Sequence, residues 1–319
     1  MEALGSPFLF SGCAVEHDRR PVRSATLALA NTLHLALTEV PSMVCCGARL
    51  EWGASEPDAR HLLSPVLAAA LQGRQIVCLS SACQCALTPQ LLELARCERV
   101  APAEMLRLPL QVQDYVEALA RPGVLMDRLT HSRARRSALQ VALHGICHAD
   151  HNPAHWPSGS VVSVEFSQGG SFSFTRKNTS EADSALATLV AASGATVLED
   201  VSSTCQSAKT FLPGGQLGTH KGAGETLPCL AEAARAGANV VVTPCVLCYS
   251  DLNRYQRMLS RGDPARSMPV LHLAQFLGMV SAVAAEHLGL GQTAVPARQL
   301  LKPLDERRRP EQRMSPTAM

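Results

Sequence analysis

Cysteines carry the chemistry that can be read from this chain, and their order repeats. There are 12 of them in 319 residues. In the first half Cys13 follows "FLFSG", then comes the adjacent pair Cys45-Cys46 with Gly47 beside it, and then "IVCLSSACQCAL" runs from a β-like stretch into Cys83. The second half replays the order. Cys147 follows "VALHGI", Cys205 lies in "DVSSTCQSA", and "NVVVTPCVLCYSDLN" runs from another β-like stretch into Cys245 and Cys248. The two Cys-x-x-Cys-like segments align with Ser80 against Cys245 and Cys83 against Cys248. Adjacent cysteines rarely bridge one another, because bridged Cα atoms normally lie about 4.4–6.8 Å apart in favourable geometry. Thiolates favour zinc, Cu(I) and iron–sulfur clusters. A structural zinc site closes with ligand pairs that are close in sequence. Here three distant segments contribute in each half, and an adjacent pair lets each sulfur reach a different iron. An iron–sulfur cluster is therefore the better reading, with a zinc-stapled interaction scaffold as the non-enzymatic rival.

Such ligands need a frame. Short β-like runs at Pro7–Phe10, Ser42–Val44, Gln75–Leu79, Leu139–Leu143, Thr196–Leu198, Asn239–Val242 and Val270–Leu273 alternate with amphipathic stretches at Arg23–Thr38, Asp58–Gln72, Gln90–Cys97, Ser180–Ala192 and Leu227–Ala236. This alternation predicts an α/β fold with mostly parallel sheets flanked by helices. The repeat divides it into an N-terminal domain, 1–137, and a C-terminal domain, 138–301. Leu277, Val280, Ala284 and Leu288 predict one face of a last helix from Ala274 to Leu290. The run 158–177 alternates apolar and polar residues around Gln168-Gly169-Gly170, a β-hairpin signal, read as an insertion offering a docking surface. The tail from Lys302 to Met319 is expected to have no fixed fold.

Composition narrows the class. Hydrophobic residues make up 46% and the formal net charge is +2, which argues against a nucleic-acid protein that relies on bulk charge. The basic run "RLTHSRARR", 128–136, reads as a solvated linker or a dock for an acidic partner. The N-terminus lacks a basic start followed by an apolar run. The longest stretch without Asp, Glu, Lys or Arg, Ser267–Ala285, contains Pro269, His272 and Gln275. It reads as a strand followed by a helix, not as a membrane span of roughly 20 apolar residues. A cytoplasmic location is expected, where structural disulfides are rare and many cysteines point to metal or redox chemistry.

"FSGCAVEHD", "VPSMVCCGA", "HGICHADHNP", "VVVTPCVLCYSDLNRYQ" and "MPVLHLAQFLGM" together resemble the family of heterodisulfide reductase B-type subunits, from about Pro7 to Leu290. The resemblance implies two pseudo-symmetric CCG domains facing a shared cleft, holding one or two [4Fe–4S] clusters, at least one of them non-cubane. It implies as ligands Cys13, Cys45, Cys46 and Cys83 in the first half, and Cys147, Cys205, Cys245 and Cys248 in the second. It also implies two partners, an iron–sulfur protein similar to the C-type component of such complexes and a flavoprotein similar to the A-type component. The implied activity is redox chemistry on a thiol, a disulfide or a carrier-bound sulfane sulfur. Sulfur-compound oxidation is the favoured setting, and a CCG subunit of a quinone-linked dehydrogenase is the alternative.

Two departures stand out. Ser80 occupies the place of a cysteine, and so does Thr204, with Gln206 where the motif has glycine. Each half keeps four thiolates, which suffice for an ordinary cube. Cys78, two residues before Ser80, can point to the same side of an extended strand and substitute as a ligand. Cys85 is aimed elsewhere, and Cys97 and Cys229 read as bystanders. His144, His148, His151 and His155 would share a face only on an unbroken helix, which Pro153 interrupts. His148, directly after Cys147, is the candidate catalytic proton donor or hydrogen-bond donor to cluster sulfur. The glycine-rich run 212–226, with Lys221, lacks the ending of a phosphate loop and is expected to be a mobile loop.

Overall fold

The computed structural model describes residues 6–12, 15, 20–40, 45–46, 62–121, 124–125, 129, 139–145, 163–166, 172–175, 180–198, 221–262 and 267–301. Within them one topology occurs twice. The first sheet contains β1 (Phe8–Phe10), β2 (Thr38–Glu39), β3 (Ile76–Cys78) and β4 (Val112–Asp114), in the order β2-β1-β3-β4. The second contains β5 (Gln140–Leu143), β8 (Thr196–Val197), β9 (Val240–Thr243) and β10 (Val270–His272), in the order β8-β5-β9-β10. Every pairing in both four-stranded sheets is parallel. Parallel strands are covered on both faces and read as continuous apolar runs. Accordingly all of Val240–Thr243 is buried. The two sheets and their flanking helices are two pseudo-symmetric α/β units. Between β5 and the next helix the hairpin β6 (Ser163–Phe166) and β7 (Phe172–Thr175) forms a separate antiparallel ribbon, at the place the alternating pattern predicts.

The helices sit at matching places in the two repeats. In the first, α1 (Arg20–Thr32), α2 (Ser64–Leu71), α3 (Ser81–Cys97) and α4 (Tyr115–Ala120) follow the four strands in turn. In the second these places are taken by α5 (Ser180–Ala192), α6 (Lys221–Arg235), α7 (Val246–Gly262) and α8 (Leu273–Val280). The helix after the first strand of each unit packs on the helix after the last strand of the other: α1 on α8, and α5 on α4. This reciprocal exchange joins the units through one large core that contains Leu29, Val77, Leu119, Val141, Leu189, Val242 and Leu277. A second, smaller core lies wholly in the first unit. It takes Phe10, Ile76 and Cys78 from the opposite faces of the strands, together with Cys46 and Cys83. The division follows the two-residue period of a strand, with Val77 and Leu79 facing one core and Ile76 and Cys78 the other.

Several expectations are corrected. The amphipathic run Arg23–Thr38 is not one helix. The helix ends at Thr32, the Leu35 amide closes on the Ala30 carbonyl at 2.8 Å, His34 turns left-handed with φ 52°, and the chain enters β2. The single helix from Ala274 to Leu290 breaks at Ala282, also left-handed with φ 63°, so that Leu288 folds back against Gly278 and Ala284 is exposed. A Cβ at Gly278 would sit 2.5 Å from Leu288 Cδ2, so the doubling-back needs glycine there. The glycine-rich run 212–226 is partly helical, because α6 starts at Lys221. β4 has no counterpart among the predicted strands. The predicted strand Ser42–Val44, most of the basic run 128–136, and the tail 302–319 lie outside the described residues.

Candidate functional site

Those expected ligands that lie among the described residues, Cys45, Cys46, Cys83, Cys245 and Cys248, follow the carboxyl ends of parallel strands. In open α/β sheets this is the edge where ligands bind, because the connecting loops open a crevice there. After β1 the chain passes through Gly12, after β2 it reaches Cys45 and Cys46, and after β3 it runs through Ser80 into Cys83 in the first turn of α3. These stretches converge. The Cys46 thiol is hydrogen-bonded to both Cys45 and Cys83. Those two contacts, Cys45 first, together with burial, hold its pKa well above the ordinary thiol range. Gly12 brings the backbone hard against the Cys83 sulfur. Its φ is +77°, and a Cβ there would lie 2.9 Å from Cys83 Sγ. Cys78 is wholly buried and shares the core cluster of Cys46 and Cys83.

Three soft sulfurs strung through Cys46 fit a cluster in which each sulfur takes its own iron. Among the described residues no group of three or more His, Cys, Asp or Glu side chains is arranged to hold a single metal ion. Cys13 and the side chain of Cys85 lie outside the described residues. Cys97 is exposed at the end of α3, and Cys229 is partly buried on α6.

In the second unit Cys245 and Cys248 occupy the matching turn before and within α7, and both are wholly buried. Cys147, Cys205 and His148 lie outside the described residues, as do His151 and His155. His144 is described and buried, one residue beyond β5. Its amide donates to Val242 O at 2.9 Å, which continues the β5–β9 ladder.

The two units meet at Ser80 and Cys245. Ser80 Oγ lies 3.6 Å from Cys245 Sγ, and both residues are buried. The amide of Gln84 donates to Ser80 O at 3.0 Å, and that of Tyr249 to Cys245 O at 2.8 Å, so each residue opens its helix in the same way. Directly behind them stands His272, which the sequence pattern does not single out. Its Nδ1 accepts from the Ala274 amide at 3.2 Å, so its proton is on Nε2. That N–H is shared between Pro244 O at 2.9 Å and Leu79 O at 3.3 Å, the carbonyls just before Cys245 and Ser80. One imidazole thus ties matching points of the two repeats. Burial drives the His272 pKa down to about 4 against the opposing pull of the carbonyl bonds and of Cys245, so the ring is neutral at physiological pH. Gln275, whose Oε1 accepts from the His272 amide at 3.0 Å, completes a reciprocal cap. The first repeat has the same device, with Asp114 Oδ1 accepting from the Glu117 amide at 2.8 Å and Glu117 Oε2 accepting from the Asp114 amide at 3.1 Å. The spacing Asp114-x-x-Glu117 is the signal that could have located both β4 and this cap.

Residues 8–88 match the family model of the CCG cysteine-rich domain. The match spans β1 to the first turns of α3 and contains Gly12, Cys45, Cys46, Ser80 and Cys83. A segment of 69 residues is 38% identical to the 8-methylmenaquinol:fumarate reductase membrane anchor subunit of Wolinella succinogenes, covering 21% of this chain and 24% of that protein. A crystal structure of a hypothetical protein from Helicobacter pylori aligns with a TM-score of 0.49 at 13% identity, over 91% of this chain and 51% of the other. The chain therefore spans about a quarter of the curated relative and about half of the solved structure that it matches. Among the described residues no helix is long and apolar enough to cross a membrane.

Proposed function

We propose that this chain is an iron–sulfur subunit of an oxidoreductase complex of the heterodisulfide-reductase type. The observation that carries the reading is the contact of Cys46 with both Cys45 and Cys83, at the strand ends of the segment that matches the CCG domain. Cys45, Cys46 and Cys83, with Cys13 and the neighbouring Cys78, hold the first [4Fe–4S] cluster. Cys245 and Cys248, with Cys147 and Cys205, hold the second. When bound, such clusters supply one-electron transfer and an iron able to bind substrate sulfur. A disulfide takes two electrons, so two one-electron sites in one chain suit thiol, disulfide or sulfane-sulfur chemistry. In this reading a C-type iron–sulfur protein and an A-type flavoprotein exchange the electrons, and His148 serves the proton.

A second reading is favoured by one specific observation, the match to a subunit of a quinol-linked fumarate reductase. Here the same cysteine-held clusters pass electrons between a quinone pool and a dehydrogenase partner. Anaerobic purification with iron and sulfide quantitation and EPR tests what the two readings share. About four irons per chain mean one loaded unit and about eight mean both, whereas zinc without iron ends both readings in favour of a stapled scaffold. Electron exchange with a quinol analogue, set against reduction of a persulfide or disulfide, separates the two.

A further inference from the structure

We propose that Ser80, contributed by the first unit, is a positioning residue for the cofactor of the second. It donates a hydrogen bond to the Cys245 sulfur and raises that cofactor's reduction potential. The inference rests on the reading of Cys245 as a cluster ligand. Serine is a favoured residue ahead of a helix because its oxygen accepts from an amide of the first turn. Ser80 stands in that position before α3, with extended φ −137° and ψ 128°, yet its side chain makes no capping bond. Its hydroxyl instead lies 3.6 Å from Cys245 Sγ. Ser80 is 2% exposed and Cys245 is fully buried.

Between two neutral groups either could donate, but a ligating cysteine is a thiolate and has no proton to give, so the bond can run only from Ser80 Oγ–H to sulfur. The geometry is held from behind, because His272 binds the carbonyls of Leu79 and Pro244 and so fixes the spacing of the residues that follow them. A hydrogen bond to cluster sulfur stabilises the more negative, reduced state and is a recognised control on potential. Bonds to charged groups are the stronger kind when buried.

The test is an EPR-monitored redox titration of the full-length, iron-loaded chain, with the second-unit signal assigned as the one lost in Cys248→Ser. Ser80→Ala is expected to lower the reduction equilibrium of that signal about tenfold, equivalent to 59 mV for one electron, and to leave the first-unit signal in place. Ser80→Thr keeps the hydroxyl and should retain the parent potential. Ser80→Val has the shape of threonine without the hydroxyl and should fall with Ser80→Ala, which separates the bond from any packing cost. Equal potentials for the parent, Thr, Ala and Val chains at full iron content overturn the inference and leave the iron–sulfur reading standing. A chain that holds about four irons, none of them lost in Cys248→Ser, overturns it and leaves the first-unit centre alone. A chain with no iron overturns both.

Discussion

The two units share a strand order and differ at the ends of their strands. In the first, Ser80 opens the helix after the third strand and Asp114 ends the fourth; in the second, the same places hold Cys245 and His272. One residue past β5 stands His144, in register with Phe10 at the end of β1. The first unit contributes adjacent thiols, Cys45 and Cys46, of which Cys46 contacts Cys83. The second contributes the imidazole that binds both repeats together. The strand order is common to both units, and among the described residues the differences fall at the strand ends, with Cys45, Cys46 and Cys83 in the first and Cys245, Cys248 and the imidazole tie in the second. The frame is set by buried apolar strands, which tolerate exchange of one aliphatic residue for another. In the proposed reading the strand ends carry the chemistry, where a single substitution changes what can be bound.

Removing ligands one unit at a time would break this comparison most severely. Cys46→Ala should cost about four irons and Cys248→Ser about four others, measured by iron and sulfide assay, while Cys97→Ser on the exposed end of α3 should cost none. Loss of all iron from either single variant would mean that the units do not load independently. Next in size is His272→Ala. It leaves the Leu79 and Pro244 carbonyls buried without their donor, and a loss of roughly 2–4 kcal/mol is expected by chemical denaturation.

The same imidazole sets a pH dependence. Its folded pKa of about 4 lies below the ordinary value of 6.5. Above pH 6.5 neither the folded nor the unfolded chain protonates the ring, and its contribution is constant. Between about 6.5 and about 4 the unfolded chain takes up a proton that the folded chain refuses, so stability falls as the pH falls, by a total of roughly 3 kcal/mol. His272→Gln should remove that part of the slope. Smaller still, Gly12→Ala should cost about 1–2 kcal/mol, because it forces a side chain into a left-handed backbone beside Cys83 Sγ. The finest probe of the pseudo-symmetry is Ser80→Cys. In the iron-free chain, oxidation with diamide should join position 80 to Cys245, detected as a cross-linked peptide pair by mass spectrometry. Absence of the cross-link would mean that the two helix starts do not meet as described.

Much of the frame was legible in the chain itself. Runs such as "VVVT" and "IVC" are too apolar and too short for anything but buried strands, and Ser180–Ala192 matches its helix end to end. The alignment of Ser80 with Cys245 and of Cys83 with Cys248 describes equivalent positions in the two repeats. β4 was missed because three residues between the short helix Leu108–Gln111 and α4 carry no periodicity; only the cap that follows marks it. The breaks at His34 and Ala282 were missed because neither residue is a glycine, the usual residue for the left-handed turn that closes each helix through Leu35 N–H to Ala30 O and Val283 N–H to Gly278 O. His272 escaped because its two partners, Leu79 and Pro244, are backbone carbonyls, one of them 193 residues away, and carbonyls leave no trace in residue type.

Ser80 and Cys245 each stand at the head of a helix of 17 residues, and the two side chains touch. Two peptide dipoles therefore point their amide ends at one buried spot, each worth roughly half a positive charge. In the proposed reading an electron arriving there would meet a standing attraction built from backbone alone, which no exchange of side chains can switch off.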